Sequence, residues 1–330
     1  MNELIKKLVE AFGPSGFEDT MRQLIRPEIE PYADEISVDA LGNLIARKKG
    51  DGTGLKVMIA AHMDEIGVMI THVTEEGFLR FTNIGGVSPH TLLGGRVQFG
   101  DGTVGIIHAD RFEDPHEVHP LSKYFIDVGA SSRENCPVAV GAPAGFYRPL
   151  VVQGSRLSAK TMDDRIGCVV AIEALKRLSM TPHDVYFVFS VQEEVGTRGA
   201  QTAANAISPD VGIALDVTLT GDVPEARPMA VRLGAGAAIK VKDSGMIAHT
   251  GLVRLMRQRA EAANIPYQLE VLDGGTTDAR PMQIAGPGCA AGCISIPCRY
   301  VHTPSETVDA HDVEHCIQLL VEILRNPIDL

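Results

Sequence analysis

The sequence predicts an α/β protein that carries an inserted β domain. Three observations lead there. First, apolar runs at residues 56–61, 185–191 and 211–216 stop abruptly at acids or a histidine. Strands buried in an α/β sheet read this way, and they deliver ligand-binding groups beyond their carboxyl ends. Second, stretches of helical periodicity separate these runs. Third, from about Val68 to Leu157 short alternating segments are broken by Glu75-Glu-Gly77, Gly85-Gly86, Gly94-Gly95 and Gly100-Asp-Gly102. That is the texture of hairpins and a small barrel. Strands bearing candidate ligands lie on both sides of it, so the β segment is read as an insertion.

Composition narrows the class. The chain has 330 residues, is 45% hydrophobic and 22% charged, and carries a formal net charge of −12. One large or two modest domains with a full core are expected. The negative charge disfavours nucleic acid and anionic membrane surfaces as partners. No apolar run approaches the roughly 18 residues of a membrane span. The amphipathic N-terminus lacks the apolar core of a secretory signal, so a cytoplasmic location is expected. The six cysteines are expected as reduced thiols. Cys289, Cys293 and Cys298 cluster without paired zinc spacing and read as small buried hydrophobes.

Taken in order, residues 3–12 have helical periodicity and stop at Gly13-Pro14-Ser15-Gly16. A second helix is expected from Ser15 or Gly16, with Glu18 and Asp19 in its first turn. Residues 36–39 and 43–48 read as strands around the Leu41-Gly42 turn. Residues 56–61 form a buried strand that ends in His62-Met63-Asp64-Glu65. A spacing of two directs His62 and Asp64 the same way. Within the β insert, His90, His108, His116 and His119 read as surface or interface groups rather than metal ligands. Asp163 and Asp164 then precede an amphipathic helix with Ile166, Val169, Val170, Leu175 and Leu178 on its apolar side. Residues 185–191 are the central strand and lead to Glu193 and Glu194. Residues 211–216 end in Asp216. Residues 237–242, 267–272 and 294–297 read as strands, 251–263 and 309–324 as helices. The loop Asp273-Gly-Gly-Thr-Thr-Asp278 either binds substrate or simply turns.

Each candidate has an ordinary reading when taken alone. Aspartates at a helix start cap it, and acids in turns are usually solvated. Together they say more. His62, Asp64, Asp163, Glu193, Glu194, Asp216 and His302 all fall at strand ends or in adjoining loops. Converging at one sheet edge, such groups assemble two adjacent zinc-like sites that share a carboxylate. Adjacent buried carboxylates are costly without a positive partner. A glutamate pair lets one acid hold a metal while the other moves protons.

The segments His62-Met-Asp64, Met162-Asp163-Asp164-Arg165, Gln192-Glu193-Glu194-Val-Gly196, Ala214-Leu-Asp216, Gly274-Gly-Thr-Thr-Asp278 and Arg299-Tyr-Val-His302 together resemble the M42 family of dinuclear metallo-aminopeptidases. This family includes glutamyl, deblocking and tetrahedral aminopeptidases. Gly13-Pro-Ser-Gly-Phe-Glu18, Asp39-Ala-Leu-Gly-Asn43 and Phe125-Ile-Asp-Val-Gly-Ala130 match as well. The resemblance spans nearly the whole chain in the family's order. It implies a mixed-sheet, zinc-peptidase-like three-layer catalytic domain over residues 1–67 and 158–330. Residues 68–157 would be an inserted small β-barrel for dimerisation. It implies two divalent metal ions per subunit, Zn2+ or Co2+. Asp163 would bridge them, with His62 and Asp216 completing one site and Glu194 and His302 the other. Glu193 would be the general base, and Asp64 would orient His62. The peptide bond after Asp163 would be cis. Short peptides would be cut from the N-terminus inside a homododecamer built from dimers. Amide deacylation, glycan hydrolysis and an inactive peptide-binding or metal-regulated scaffold are the other readings. Glycosidases usually rely on two metal-free carboxylates, and the intact ligand set with a free Glu193 argues against a scaffold.

Overall fold

The computed structural model describes residues 1–111 and 118–330. Two helices, α1 (Asn2–Val9) and α2 (Asp19–Ile29), open the chain. The strands β1 (Glu35–Val38), β2 (Leu44–Lys48) and β3 (Lys56–His62) follow. Six short strands come next: β4 (Gly67–Val73), β5 (Leu79–Ile84), β6 (Arg96–Phe99), β7 (Val104–Ala109), β8 (Tyr124–Asp127) and β9 (Pro143–Phe146). They close into a barrel in the order β4-β5-β8-β7-β6-β9. Its interior is filled by alternating residues such as Val68, Ile70, Phe81, Val97, Ile107 and Ile126, as the period of two in a strand requires.

The chain then returns through β10 (Val151–Gln153), β11 (Arg156–Ala159), α3 (Met162–Arg177), β12 (Asp184–Ser190), α4 (Arg198–Ile207) and β13 (Val211–Thr218). It finishes with β14 (Ala237–Lys242), α5 (Thr250–Ala262), β15 (Tyr267–Val271), α6 (Ala279–Gln283), β16 (Ala290–Arg299), β17 (Glu306–Asp309) and α7 (Ala310–Arg325). The strands outside the barrel form one 11-stranded mixed sheet. Helices cover both faces. Val57, Ile59 and Ala61 of β3 face the core shared with α1, α2, α3, α5 and α7. Met58 and Ala60 face the opposite core with α4 and α6. This alternation builds three layers from one strand's sequence.

Several elements differ from the sequence reading. The second helix begins at Asp19 because Pro14 and Ser15 are committed elsewhere: Pro14 bridges to Glu65, and Ser15 donates to the Glu65 carbonyl at 3.3 Å. Gly16 then turns with φ 86°, which glycine alone takes at no steric cost. The helix α3 is buried on nearly every side rather than along one stripe, since it is packed between the sheet and α1, α2 and α7. Strand β16 spans ten residues, longer than the expected 294–297, because it pairs along the full length of β13. The central strand β12 is parallel to β3 but antiparallel to β2. No helix among the described residues is long and apolar enough to cross a membrane.

Candidate active site

Strand β3 lies parallel to β12 on one side and β13 on the other, so all three deliver their carboxyl ends to one edge. His62 ends β3 and pairs in register with Ser190, the last residue of β12. The acid-bearing loop after Ser190 is held amide by amide. Val191 donates to Asn43 Oδ1 at 3.0 Å and Gln192 to Glu18 Oε1 at 3.2 Å. Glu193 and Glu194 donate to the two oxygens of Asp64 at 3.0 and 3.2 Å. The early segments around Gly16 and Asn43 thus act as a cradle for Glu193 and Glu194. Asp64 is fully buried. It also accepts a 2.6 Å bond from Ser15 and lies 3.4 Å from His62 Nδ1, which fixes the ring.

Asp163 is the hub. Its Oδ1 is 3.0 Å from His62 Nε2, and its Oδ2 is 3.3 Å from His302 Nε2. His302 Nε2 is also 3.3 Å from Glu194 Oε2. Glu193 Oε2 stands off slightly, 3.9 Å from His62 Nε2. Ligand atoms of His62, Asp163 and Glu194 lie within 4.8 Å of one another, as do those of His62, Asp164 and Asp216. All seven predicted residues therefore meet at this edge, joined by Asp164. Both Asp164 oxygens are already engaged, by the amides of His62 at 3.2 Å and Gly167 at 3.1 Å. The Asp163–Asp164 peptide is cis.

The electrostatics follow from crowding. Burial pushes Glu193 and Asp216 well above the ordinary carboxylate range, and neighbouring acids push them further. Glu194 is raised by burial and by Asp163. Burial opposes ionisation of Asp163 too, but hydrogen bonds with His302 and His62 overcome it and hold the carboxyl well below its usual range. Burial disfavours the charged form of His302, yet Asp163 and Glu194 push it up to about 12. Acids of this kind repel unless a cation lies among them. Carboxylate oxygens and imidazole nitrogens spaced this closely suit a divalent cation. The residues present fit such an ion.

A cavity of about 820 Å³ opens onto the cluster and is lined by Asp163, Glu193, Glu194, Asp216 and His302 among others. Asp273 and the Gly274–Thr277 stretch line it too, so this loop borders the site. Asp278 lies behind it, buried, and accepts a 2.5 Å bond from Ser190 Oγ. Burial lifts Asp278 to about 6.

Other supporting residues are given no role by the sequence pattern. Arg165, wholly buried, donates to the carbonyls of Met63 at 2.6 Å and Leu8 at 2.7 Å and pairs with Glu65 at 3.3 Å. Lys160 pairs with the other Glu65 oxygen at 2.7 Å. This network pins the backbone between His62 and Asp64. Glu306 accepts from the amides of Asp163 and His302. Their isolated spacings, Lys160 to Glu65 above all, gave nothing periodic to detect. His90 and His108 are exposed and His119 is half-buried, while His116 lies outside the described residues. All six cysteines are free.

Residues 42–319 match the family model described as M42 glutamyl aminopeptidase. The chain belongs to the M42 peptidase family. A relative from Acetivibrio thermocellus, provisionally named an aminopeptidase, is 48% identical over 327 residues, 98% of each chain. The structure of an aminopeptidase from the archaeon Desulfurococcus kamchatkensis superposes with a TM-score of 0.94 at 42% identity, covering 99% of this chain and 94% of that one. The TET1 peptidase of Pyrococcus horikoshii, described as able to assemble into a tetrahedron or a large octahedral shell, gives 0.88 at 34% identity with 98% of both chains covered. This M42 peptidase is accordingly a hydrolase of the aminopeptidase type, with a cluster of candidate metal ligands at its sheet edge.

Proposed function

We propose that this M42 aminopeptidase removes N-terminal residues from short peptides with two divalent ions, Zn2+ or Co2+, and Glu193 as general base. The observation that carries the reading is Asp163, whose two oxygens face His62 on one side and His302 on the other. A carboxylate presented to two imidazoles supports a bridging role. His62 and Asp216 would complete one site, Glu194 and His302 the other. Asp164 stands near the first site, but both its oxygens are occupied by backbone amides, which favours Asp163 and Asp216 as ligands.

Bound ions would polarise the scissile carbonyl and lower the pKa of a water molecule. Glu193 borders the same cavity and is spared from the closest ligand contacts. It takes the proton from the attacking water and returns it to the leaving amine. Asp64 keeps the geometry: it holds the His62 ring and the amides of Glu193 and Glu194 at once. In this reading residues 1–67 and 158–330 make the catalytic unit, and residues 68–157 make contacts between subunits of a dodecamer. The family assignment favours peptide hydrolysis over deacylation or glycan cleavage.

The test is a panel of aminoacyl-anilides, with N-acetylated counterparts, assayed after loading with Zn2+ or Co2+. Hydrolysis of the free-amine substrates alone, abolished by a chelator, is the expected result. Equal turnover of the acetylated compounds would contradict the exopeptidase reading.

A further inference from the structure

Glu306 opens β17 opposite Ala159 of β11 and is 2% exposed. Its carboxylate is divided between two segments of the chain. Oε2 accepts from the amide of Asp163 at 2.9 Å, and Oε1 accepts from the amide of His302 at 2.8 Å. Both bonds go to backbone rather than to a cationic side chain. A buried acid is costly, and here each of its oxygens is satisfied by one backbone amide.

The loop that carries His302 needs support. Residues 300–305 join β16 to β17, and the turn passes through Tyr300 at φ 63° and His302 at φ 61°. Left-handed backbone disfavours a residue with a Cβ, which crowds the carbonyl oxygen that follows it. His302 is aimed at Asp163 and Glu194 only while that conformation is held. The bond to Glu306 ties its amide to the base of the hairpin, and the same carboxylate ties that base to Asp163.

We propose that Glu306 is a positioning residue that fixes the backbone of Asp163 and His302 relative to each other and thereby sets the affinity of the Glu194–His302 side for a divalent cation. This rests on the ligand reading above. Each oxygen takes one amide, so an isosteric amide cannot replace it. In Glu306→Gln one acceptor becomes an NH2 group, and a donor then faces a donor.

The experiment is a Co2+ titration of the full-length protein after chelation, reading bound Co2+ and its visible absorption bands. Wild type, Glu306→Gln and His302→Ala are compared, with thermal unfolding of the metal-free forms alongside. Wild type should take two ions and His302→Ala one. Glu306→Gln should bind the first ion as wild type does and the second at least about 10-fold more weakly, with altered bands; its metal-free melting temperature should fall modestly, as the buried donor–donor contact requires. Glu306→Asp keeps both acceptors on a shorter arm; it replaces the glutamine variant if that chain does not fold, and the same weakening of the second ion is expected. Wild-type affinity and spectrum for both ions in the substituted protein would overturn the proposal. So would equal weakening of both ions, which marks a merely structural role. Fewer than two ions in wild type, or two in His302→Ala, would show that the ligand reading itself has failed, and the positioning role with it.

Discussion

Asp163 and Asp164 are chemically identical neighbours with different surroundings. Asp163 shows its oxygens to His62 and His302, whereas Asp164 accepts backbone amides from His62 and Gly167. A bridging ligand serves both ions, a terminal ligand only one. Asp163→Asn should therefore lower occupancy at both sites, and His302→Ala should mainly empty one. Metal content measured after dialysis checks this. Equal single-site losses in the two variants would contradict the bridge. The sequence showed that two aspartates stood here, and the resemblance assigned the first as the bridge. Spacing alone does not separate them, because their difference lies in which long-range amides reach which oxygens.

At the scale of the element, the site depends on loops pinned at their bases. Arg299 ends β16 just before the His302 turn and pairs with Asp222 through contacts of 2.8 and 3.1 Å. The Arg299 guanidinium holds Asp222 well below the usual carboxylate range. The sign follows from linkage. A carboxyl with a depressed folded pKa adds stability above its unfolded value, about 3.9, and loses it as pH falls through the folded value. The pair is partly exposed, so the effect is modest. Asp222→Asn should lower the melting temperature at pH 7, and its difference from wild type should shrink steadily in acid. A difference independent of pH would mean that packing, not charge, ties the segment down. Elements themselves were legible where one pattern dominated: 56–61 and 185–191 read as strands because, apart from Lys56 and Ser190, their residues are apolar or aromatic. Helix α4 was missed because its run of Ala200, Ala203 and Ala204 follows Gly196 and Gly199, which look like a turn. Helix α3 reads as amphipathic in the sequence because local pattern does not show how many neighbours cover it.

At the scale of the whole molecule, the barrel is not remote from the chemistry. A Cβ at Gly86, just past β5, would collide with the His302 ring, and one at Gly85 would stand 3.1 Å from Glu194. Glycine is needed there for close approach, so the insert and the catalytic unit press on each other at the proposed second metal. If residues 68–157 also hold subunits together, assembly and metal binding are linked. From a 35.4 kDa chain, the proposed dodecamer then predicts a light-scattering particle on the order of twelve subunits, closed by symmetry. Chelation should break it toward dimers. Short peptides should be trimmed while a folded protein with an exposed N-terminus is left intact. A stable, fully active monomer would refute the assembly.

Glu193 moves protons in this mechanism while its neighbours hold metal, and the decisive variant is Glu193→Gln. The variant should be assayed for bound metal and for turnover of a free-amine anilide in the same preparation. Metal content should match wild type, and turnover should fall by about 100-fold or more, the usual range for losing a general base. Loss of metal stoichiometry would instead show that the roles of Glu193 and Glu194 are reversed, and wild-type turnover would show that Glu193 is not the base.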